Sequence, residues 1–238
     1  MAPNIVLQEN EAFGHPNYGV IRALLFMVDT NMMTALELPP FSSQNCQVLY
    51  KEEYPMCAKY GDQHIIFLSV KDDYWCQWVY QFAHEYCHHL INGTLSGVWS
   101  QNSWFEETLC EVSSLYNLQM MIGFCETHGL QVYAPSVQDY LSKQLSKNAN
   151  VYSLSEEGGW YQRYEEVLSI EEYKRDLYNA IAVLMLPLFL ENPSLWKILL
   201  NIGDISSWGS LEVLLEHLLT KADDSYLESL IKMQKVFG

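Results

Sequence analysis

The chain has 238 residues, of which 49% are hydrophobic and 13% aromatic, a composition that predicts a packed core and excludes a disordered protein. Thirteen Lys and Arg against 29 Asp and Glu give a formal net charge of −16. This charge argues against nucleic-acid binding, because phosphate contacts require clustered cations.

The sequence of the first third of the chain predicts a mixture of helices and strands. Apolar residues recur at helical spacing over residues 19–36. Residues 46–50 and 64–70 have the composition of strands, and a turn-like segment separates them. A helix is then expected over residues 74–92.

This last helix carries the sequence His84-Glu85-Tyr86-Cys87-His88. Two histidines four residues apart share one helix face, so both imidazoles can bind one metal ion. The intervening Glu85 can then reach a metal-bound water as a general base. His89 points about 100° away from His88 around the helix, and we interpret it as a supporting or surface residue.

A second helix is predicted to begin at Ser103. Ser103 and Glu106 fit a capping box, in which the two side chains satisfy backbone amides of the first turn. This interpretation leaves Glu107, separated from His88 by eighteen residues, as the third metal ligand. Glu111 lies one turn further along the same face, where we expect it to accept a hydrogen bond from a ligand imidazole.

Residues 84–111 resemble the gluzincin metallopeptidases, the class that contains thermolysin and the large zinc aminopeptidases. The resemblance implies one Zn²⁺ ion, a zincin-like α/β lobe, and an edge strand that binds substrate backbone. It also implies a Tyr or His from the C-terminal half that stabilises the oxyanion. Tyr164, Tyr173 and Tyr178 are candidates, and we choose Tyr178 because it shares a helix face with Lys174 and Arg175. The Gly-x-Met-Glu-Asn motif of aminopeptidases is missing, so their specificity is not carried over.

The rest of the chain is predicted to be mainly helical. Helices are predicted over residues 137–147, 161–168, 171–190, 193–201, 211–222 and 224–236. Asn192 and Pro193 fit the start of a helix, and Pro187 is expected to bend or break one. We therefore expect an α+β chain with an α/β zincin lobe in residues 1–125 and a helical lobe in residues 126–238. The metal site would lie in the cleft between them, in one catalytic unit.

The leading hypothesis is a cytoplasmic zinc metallopeptidase acting on a peptide or protein, with His84, His88 and Glu107 as ligands and Glu85 as general base. A non-catalytic zincin-fold binding or regulatory module, and a zinc hydrolase of a non-peptide substrate, remain open. The cytoplasmic assignment rests on a start without a secretory signal and on six cysteines without a C-x-x-C pair. No apolar run approaches the ~20 residues of a membrane span, so no membrane partner is expected. The oligomeric state is left open.

Overall fold

The structure is a computed structural model that describes residues 5–39, 45–60, 63–91, 100–154, 159–170 and 174–238. Within these ranges the chain is mostly helical and contains a four-stranded sheet. The predicted α+β class is therefore confirmed.

The sheet has the strand order β1-β2-β4-β3. Its strands are β1 (Ile5–Leu7), β2 (Cys46–Tyr50), β3 (Met56–Tyr60) and β4 (Gln63–Leu68). β1, β2 and β4 pair in parallel, whereas β3 pairs antiparallel with β4 and forms one edge of the described sheet.

Strands β2 and β4 agree with the sequence prediction, but β3 runs where a turn was expected. Its sequence, Met-Cys-Ala-Lys-Tyr, lacks the β-branched residues that mark strands. Pairing with β4 along its whole length supplies the hydrogen bonds that make it a strand.

The α-helices make up most of the rest of the described chain. In chain order they are α1 (Tyr18–Ala35), α2 (Trp75–Ile91), α3 (Ser103–Thr127), α4 (Ala134–Ser146), α5 (Trp160–Ile170), α6 (Arg175–Glu191), α7 (Leu199–Ile202), α8 (Leu211–Lys221) and α9 (Leu227–Phe237). The helices predicted before residue 130 begin within a residue or so of the observed starts.

Two proline predictions have different outcomes. Asn192 does cap the next helical segment: its side chain accepts a hydrogen bond from Ser194 N–H, and Pro193 is the first residue of a 3₁₀ helix. At Pro187 a bend or a break was expected; the break is wrong, because α6 continues through this residue to Glu191, and the bend stays a prediction. Buried neighbours such as Phe189 hold this last turn against the core, which offsets the loss of one backbone hydrogen bond.

Helices α2 and α3 pack closely and run in opposite directions. Ser113 of α3 donates a hydrogen bond to the backbone carbonyl of Ala83, and Ser114 donates to the carbonyl of Tyr80. Such small side chains let the two backbones approach. These bonds fix the relative register of the helices that carry the predicted metal ligands.

The buried hydrophobic residues form a cluster that runs from Leu7 to Phe237 and includes both predicted lobes. The division at residue 125 therefore stays a prediction, since α2, α3 and α6 share this core. Within the described ranges no single helix is both long and apolar enough to cross a membrane. Helix α6 and the segment that follows pass such a test only as a pair, and the chain bends by 115° between them.

Candidate metal centre

Helix α2 presents two different faces. Trp78, Phe82 and Tyr86 are fully buried and pack into the core. On another face, Gln81 Oε1 accepts hydrogen bonds from the backbone N–H groups of Ser69 and Val70, which ties the end of β4 to the helix. Hydrophobic burial and this polar link together hold α2 in one orientation.

His84 and His88 lie on the polar face of α2, opposite Glu107 of α3. Oε2 of Glu107 is 3.3 Å from Nε2 of His84, and its Oε1 is 3.5 Å from Nε2 of His88. The two imidazole centroids are 5.2 Å apart, with an angle of 67° between the rings. The three predicted ligands thus face one another across the two helices.

Two imidazoles and one carboxylate are a donor set that zinc takes in proteins. Bonds of about 2.0–2.1 Å from zinc to nitrogen or oxygen place neighbouring ligand atoms about 3.3–3.4 Å apart. Each oxygen of Glu107 lies near that distance from one histidine, with Oε2 at 3.3 Å from His84 Nε2 and Oε1 at 3.5 Å from His88 Nε2. Two imidazoles and one carboxylate also leave a fourth position open, as in catalytic zinc sites.

Opposite charges stabilise this arrangement. Burial alone would raise the pKa of Glu107, but the imidazoles of His88 and His84 outweigh it and lower that pKa to about 2. Burial alone would lower the pKa of His88, but the carboxylates of Glu107 and Glu106 outweigh it and raise that pKa to about 10. The pKa of His84 is raised as well: burial alone would lower it, but the hydrogen bond to Glu107 and the charges of Glu85, Glu111 and Glu107 together outweigh burial. The carboxylates of the site therefore favour a bound cation.

Glu106 binds the outer nitrogen of His88. Its Oε1 lies 2.8 Å from His88 Nδ1, and both side chains are less than a tenth exposed. A carboxylate on the outer nitrogen of a ligand histidine fixes the tautomer that directs Nε2 towards the metal.

The predicted capping box is therefore wrong. The residue that caps α3, Asn102, makes no side-chain capping bond, and Ser103 Oγ accepts instead from Ser100 N–H at 2.8 Å. Glu106 faces α2 rather than the end of its own helix. In that buried position its carboxylate lies against the imidazole of His88.

Glu111 has a different partner from the one expected. Instead of a ligand imidazole, its Oε2 accepts a hydrogen bond from the hydroxyl of Tyr80. Because α2 and α3 run in opposite directions, Tyr80, one turn before His84 on α2, lies opposite Glu111, one turn after Glu107 on α3. Glu111 still acts on the site through its charge, which contributes to the raised pKa of His84.

Glu85 is buried and lies between the two histidines in sequence, where it lines a pocket with His84. Burial raises its pKa, and the neighbouring histidines oppose that rise. A carboxylate with a raised pKa, beside the ligands but not among them, has the position that a general base needs.

Cys110 is a candidate ligand that the sequence analysis missed. One ligand atom from each of His84, His88 and Cys110 can be chosen so that all lie within 4.8 Å of one another. Cys110 lies three residues after Glu107 on the same helix, and that spacing is the signal that was overlooked. Its thiol is fully buried, and burial together with Cys87 raises its pKa well above the ordinary value.

A pocket of about 260 Å³, called here the metal pocket, opens beside His84, Glu85 and Glu111. Its walls are Pro55, Gln77, Tyr80, Gln81, His84, Glu85, Glu111, Tyr140, Gln144, Lys147 and Arg175. Gln77, Gln81 and His84 bring one polar face of α2 to this pocket. Arg175 and Lys147, both distant in sequence, bring two cations to a pocket that also has the carboxylates of Glu85 and Glu111.

Tyr178 is not among the residues that line the metal pocket, and its catalytic role stays a prediction. Tyr178 is 1% exposed and belongs to the hydrophobic core, where burial of an aromatic ring is favourable. Arg175, one turn earlier on α6, faces the metal pocket instead. Tyr164 packs against Tyr152 with ring centroids 5.7 Å apart, and Tyr173 lies outside the described residues.

His89 is neither at the surface nor at the metal centre. It is buried, and its Nδ1 is 2.8 Å from Nδ1 of His64 on β4, which is buried as well. This pair links the second half of α2 to the sheet.

Comparison of the chain with protein-family models, with curated proteins and with solved structures gives no match. The functional interpretation therefore depends on the geometry of the site.

Proposed function

We propose that this protein is a zinc-dependent hydrolase, namely a cytoplasmic peptidase of the gluzincin type with a zincin-like fold. The observation that carries this proposal is the position of Glu107, whose carboxylate lies 3.3 and 3.5 Å from the Nε2 atoms of His84 and His88. Glu107 lies nineteen positions after His88 and on a different helix, so it would not meet both histidines at these distances if α2 simply exposed them to solvent.

His84, His88 and Glu107 would hold the ion, and Glu106 would orient His88. Zn²⁺ supplies Lewis acidity there, since it polarises a carbonyl and lowers the pKa of a coordinated water to about 7. Glu85 accepts the proton of the attacking water and delivers it to the leaving amine. Arg175, rather than Tyr178, supplies positive charge opposite the carbonyl oxygen on which negative charge develops.

The sheet favours a peptide as substrate. β3 is an edge strand of the described sheet, and Pro55, directly before it, lines the metal pocket. An extended peptide can pair with the free backbone groups of such an edge and thereby bring its own carbonyl to the ion.

The test combines metal analysis with one substitution. Protein purified without added zinc should contain about one zinc per chain, and Glu85→Gln should retain it, because Glu85 is not a ligand in this arrangement. Turnover of peptide substrates should fall about 10²–10⁴-fold in this variant, because the general base serves both proton transfers. Equal activity of the zinc-loaded wild type and Glu85→Gln on every cleaved peptide would refute the proposal.

A second candidate function follows from Cys110. If its thiolate occupied the fourth position, the site would be a closed structural one and the protein a non-catalytic binding module. Cys110→Ser separates the two cases, because a structural site would lose its zinc and a catalytic site would keep both zinc and turnover. Glu107→Gln is the matched comparison, since it should lose zinc in the catalytic case.

A further inference from the structure

A second and larger pocket, called here the aromatic pocket, opens at the beginning of α2. It has a volume of about 520 Å³ and lies between α2 and α4. Aromatic and apolar side chains form much of its wall, including Tyr74, Trp75, Met121, Tyr133 and Val137. Pockets of about 300–1,000 Å³ with such walls are the usual binding sites of organic ligands.

The aromatic pocket adjoins the metal pocket. Gln77 of α2 and Tyr140 of α4 line both, so the two share a wall on each helix. Gln77 lies seven residues before His84, which corresponds to about 10 Å along the axis of α2. An extended peptide advances about 3.3 Å per residue, so about three residues span that distance.

Aromatic rings are exposed at the rim of this pocket. Tyr74 is 63% exposed and Tyr133 is 44% exposed, and the ring of Tyr133 lies 4.6 Å from that of Trp75 between centroids. Val132, next to Tyr133 in the chain, is 78% exposed. A cluster of apolar groups left in water next to a pocket marks a surface that binds a ligand or partner.

The charges on the wall select against an acidic ligand. Asp73 and Asp139 contribute two carboxylates, and Lys143 contributes one ammonium group. An aromatic side chain satisfies this environment, because it stacks against the rings of the wall and adds no negative charge.

We propose that the aromatic pocket is a specificity subsite that takes an aromatic side chain of the substrate three to four residues from the scissile bond. This inference rests on the proposed function, because the metal centre defines where the scissile bond lies. The peptide runs from the metal pocket past Gln77 and Tyr140, and its aromatic residue enters between α2 and α4.

Filling the pocket tests this assignment. Ser136 is exposed and lines the pocket, whereas Gln138 is exposed on the same helix and does not line it. In a peptide mixture analysed by mass spectrometry, wild type should prefer Phe, Tyr or Trp at the third or fourth residue from the cleaved bond. Ser136→Trp should abolish that preference and Gln138→Trp should preserve it. Asp139→Trp is a second filling variant in case Ser136→Trp does not fold.

A binding assay keeps this inference separate from the proposed chemistry. The probe is a fluorescent ten-residue Gly-Ser-Ala peptide with one central Phe, compared with the same peptide without Phe, on zinc-loaded Glu85→Gln. The Phe peptide should bind about tenfold tighter or more, since a buried ring contributes that much. Introducing Ser136→Trp into this background should remove the difference.

The outcomes distinguish the two proposals. Equal binding of both peptides, or a Phe preference that survives pocket filling, would overturn the subsite even if peptides are cleaved. A Phe preference that pocket filling removes, without cleavage of any peptide by zinc-loaded wild type, would refute the peptidase and support the pocket as a binding site.

Discussion

The hydrogen bond between Glu106 and His88 gives the most specific prediction, because the sequence assigned Glu106 a different role. Glu106→Leu removes the carboxylate while filling a similar volume. His88 then keeps its position on α2 but loses the partner of Nδ1, so its ring can adopt the tautomer that turns a protonated Nε2 towards the ion.

The magnitude follows from the contact itself. A buried, charge-assisted hydrogen bond at 2.8 Å is worth about 1.5–3 kcal/mol, which corresponds to about a 10- to 100-fold loss of zinc affinity. Competition with a chromophoric chelator measures that affinity, and circular dichroism checks that the helices persist. Glu126→Gln, at an exposed position of the same helix, is the matched control and should bind zinc like wild type.

Two results would refute this reasoning. Wild-type zinc affinity in Glu106→Leu, with a lower free energy of unfolding, would mean that Glu106 caps α3 after all. An equal loss of affinity in Glu126→Gln would mean that the assay responds to the net charge of the protein rather than to the contact with His88.

Three further predictions concern the metal, the thiols and the shared hydrogen bond of α2 and α3. Removal of zinc by a chelator should lower the melting temperature, and added zinc should restore it, with about 4 kcal/mol of stabilisation at a thousandfold excess over Kd. Of the six free cysteines only Cys76 is not buried, so the native protein should expose one reactive thiol, lost in Cys76→Ser. Burial raises the pKa of Cys76 to about 11, so its alkylation should be slow at pH 8 and accelerate about tenfold per pH unit up to that pKa. Tyr80→Phe leaves Glu111 without its hydrogen bond and should cost about 1–3 kcal/mol in urea denaturation, whereas a cost near zero would show that water replaces the hydroxyl.

The sequence predicted those parts of the site that depend on local geometry. The spacing of His84 and His88 on a helix is a property of five consecutive residues, and the structure brings both against Glu107 on one face of α2. The pairing of α2 with α3 brought Glu107 opposite them, as the resemblance implied. In contrast, the sequence alone does not separate the roles of the neighbours Glu106 and Glu107. Glu106 contacts the outer nitrogen of His88 and Glu107 faces both Nε2 atoms, and these contacts depend on which side of α3 faces α2.

The parts that were missed depend on contacts between distant segments. β3 is a strand because it pairs with β4, and its own composition gives little indication of this. Arg175 reaches the metal pocket because α6 packs beside α3, which no pattern in its neighbourhood predicts. The choice of Tyr178 stays a prediction that depends on helical spacing, and spacing alone does not say which face of α6 meets the core.

The two serine hydrogen bonds between α3 and α2 have a consequence for exchange kinetics. Because Ser113 and Ser114 bind backbone carbonyls of α2, moving the two ligand-bearing helices apart breaks main-chain contacts in the centre of the core. Backbone amides in the middle of α2 should therefore exchange with deuterium only through global unfolding. An ion held by these helices should leave much faster than those amides exchange, because its route out is the side of the metal pocket that is already open to solvent.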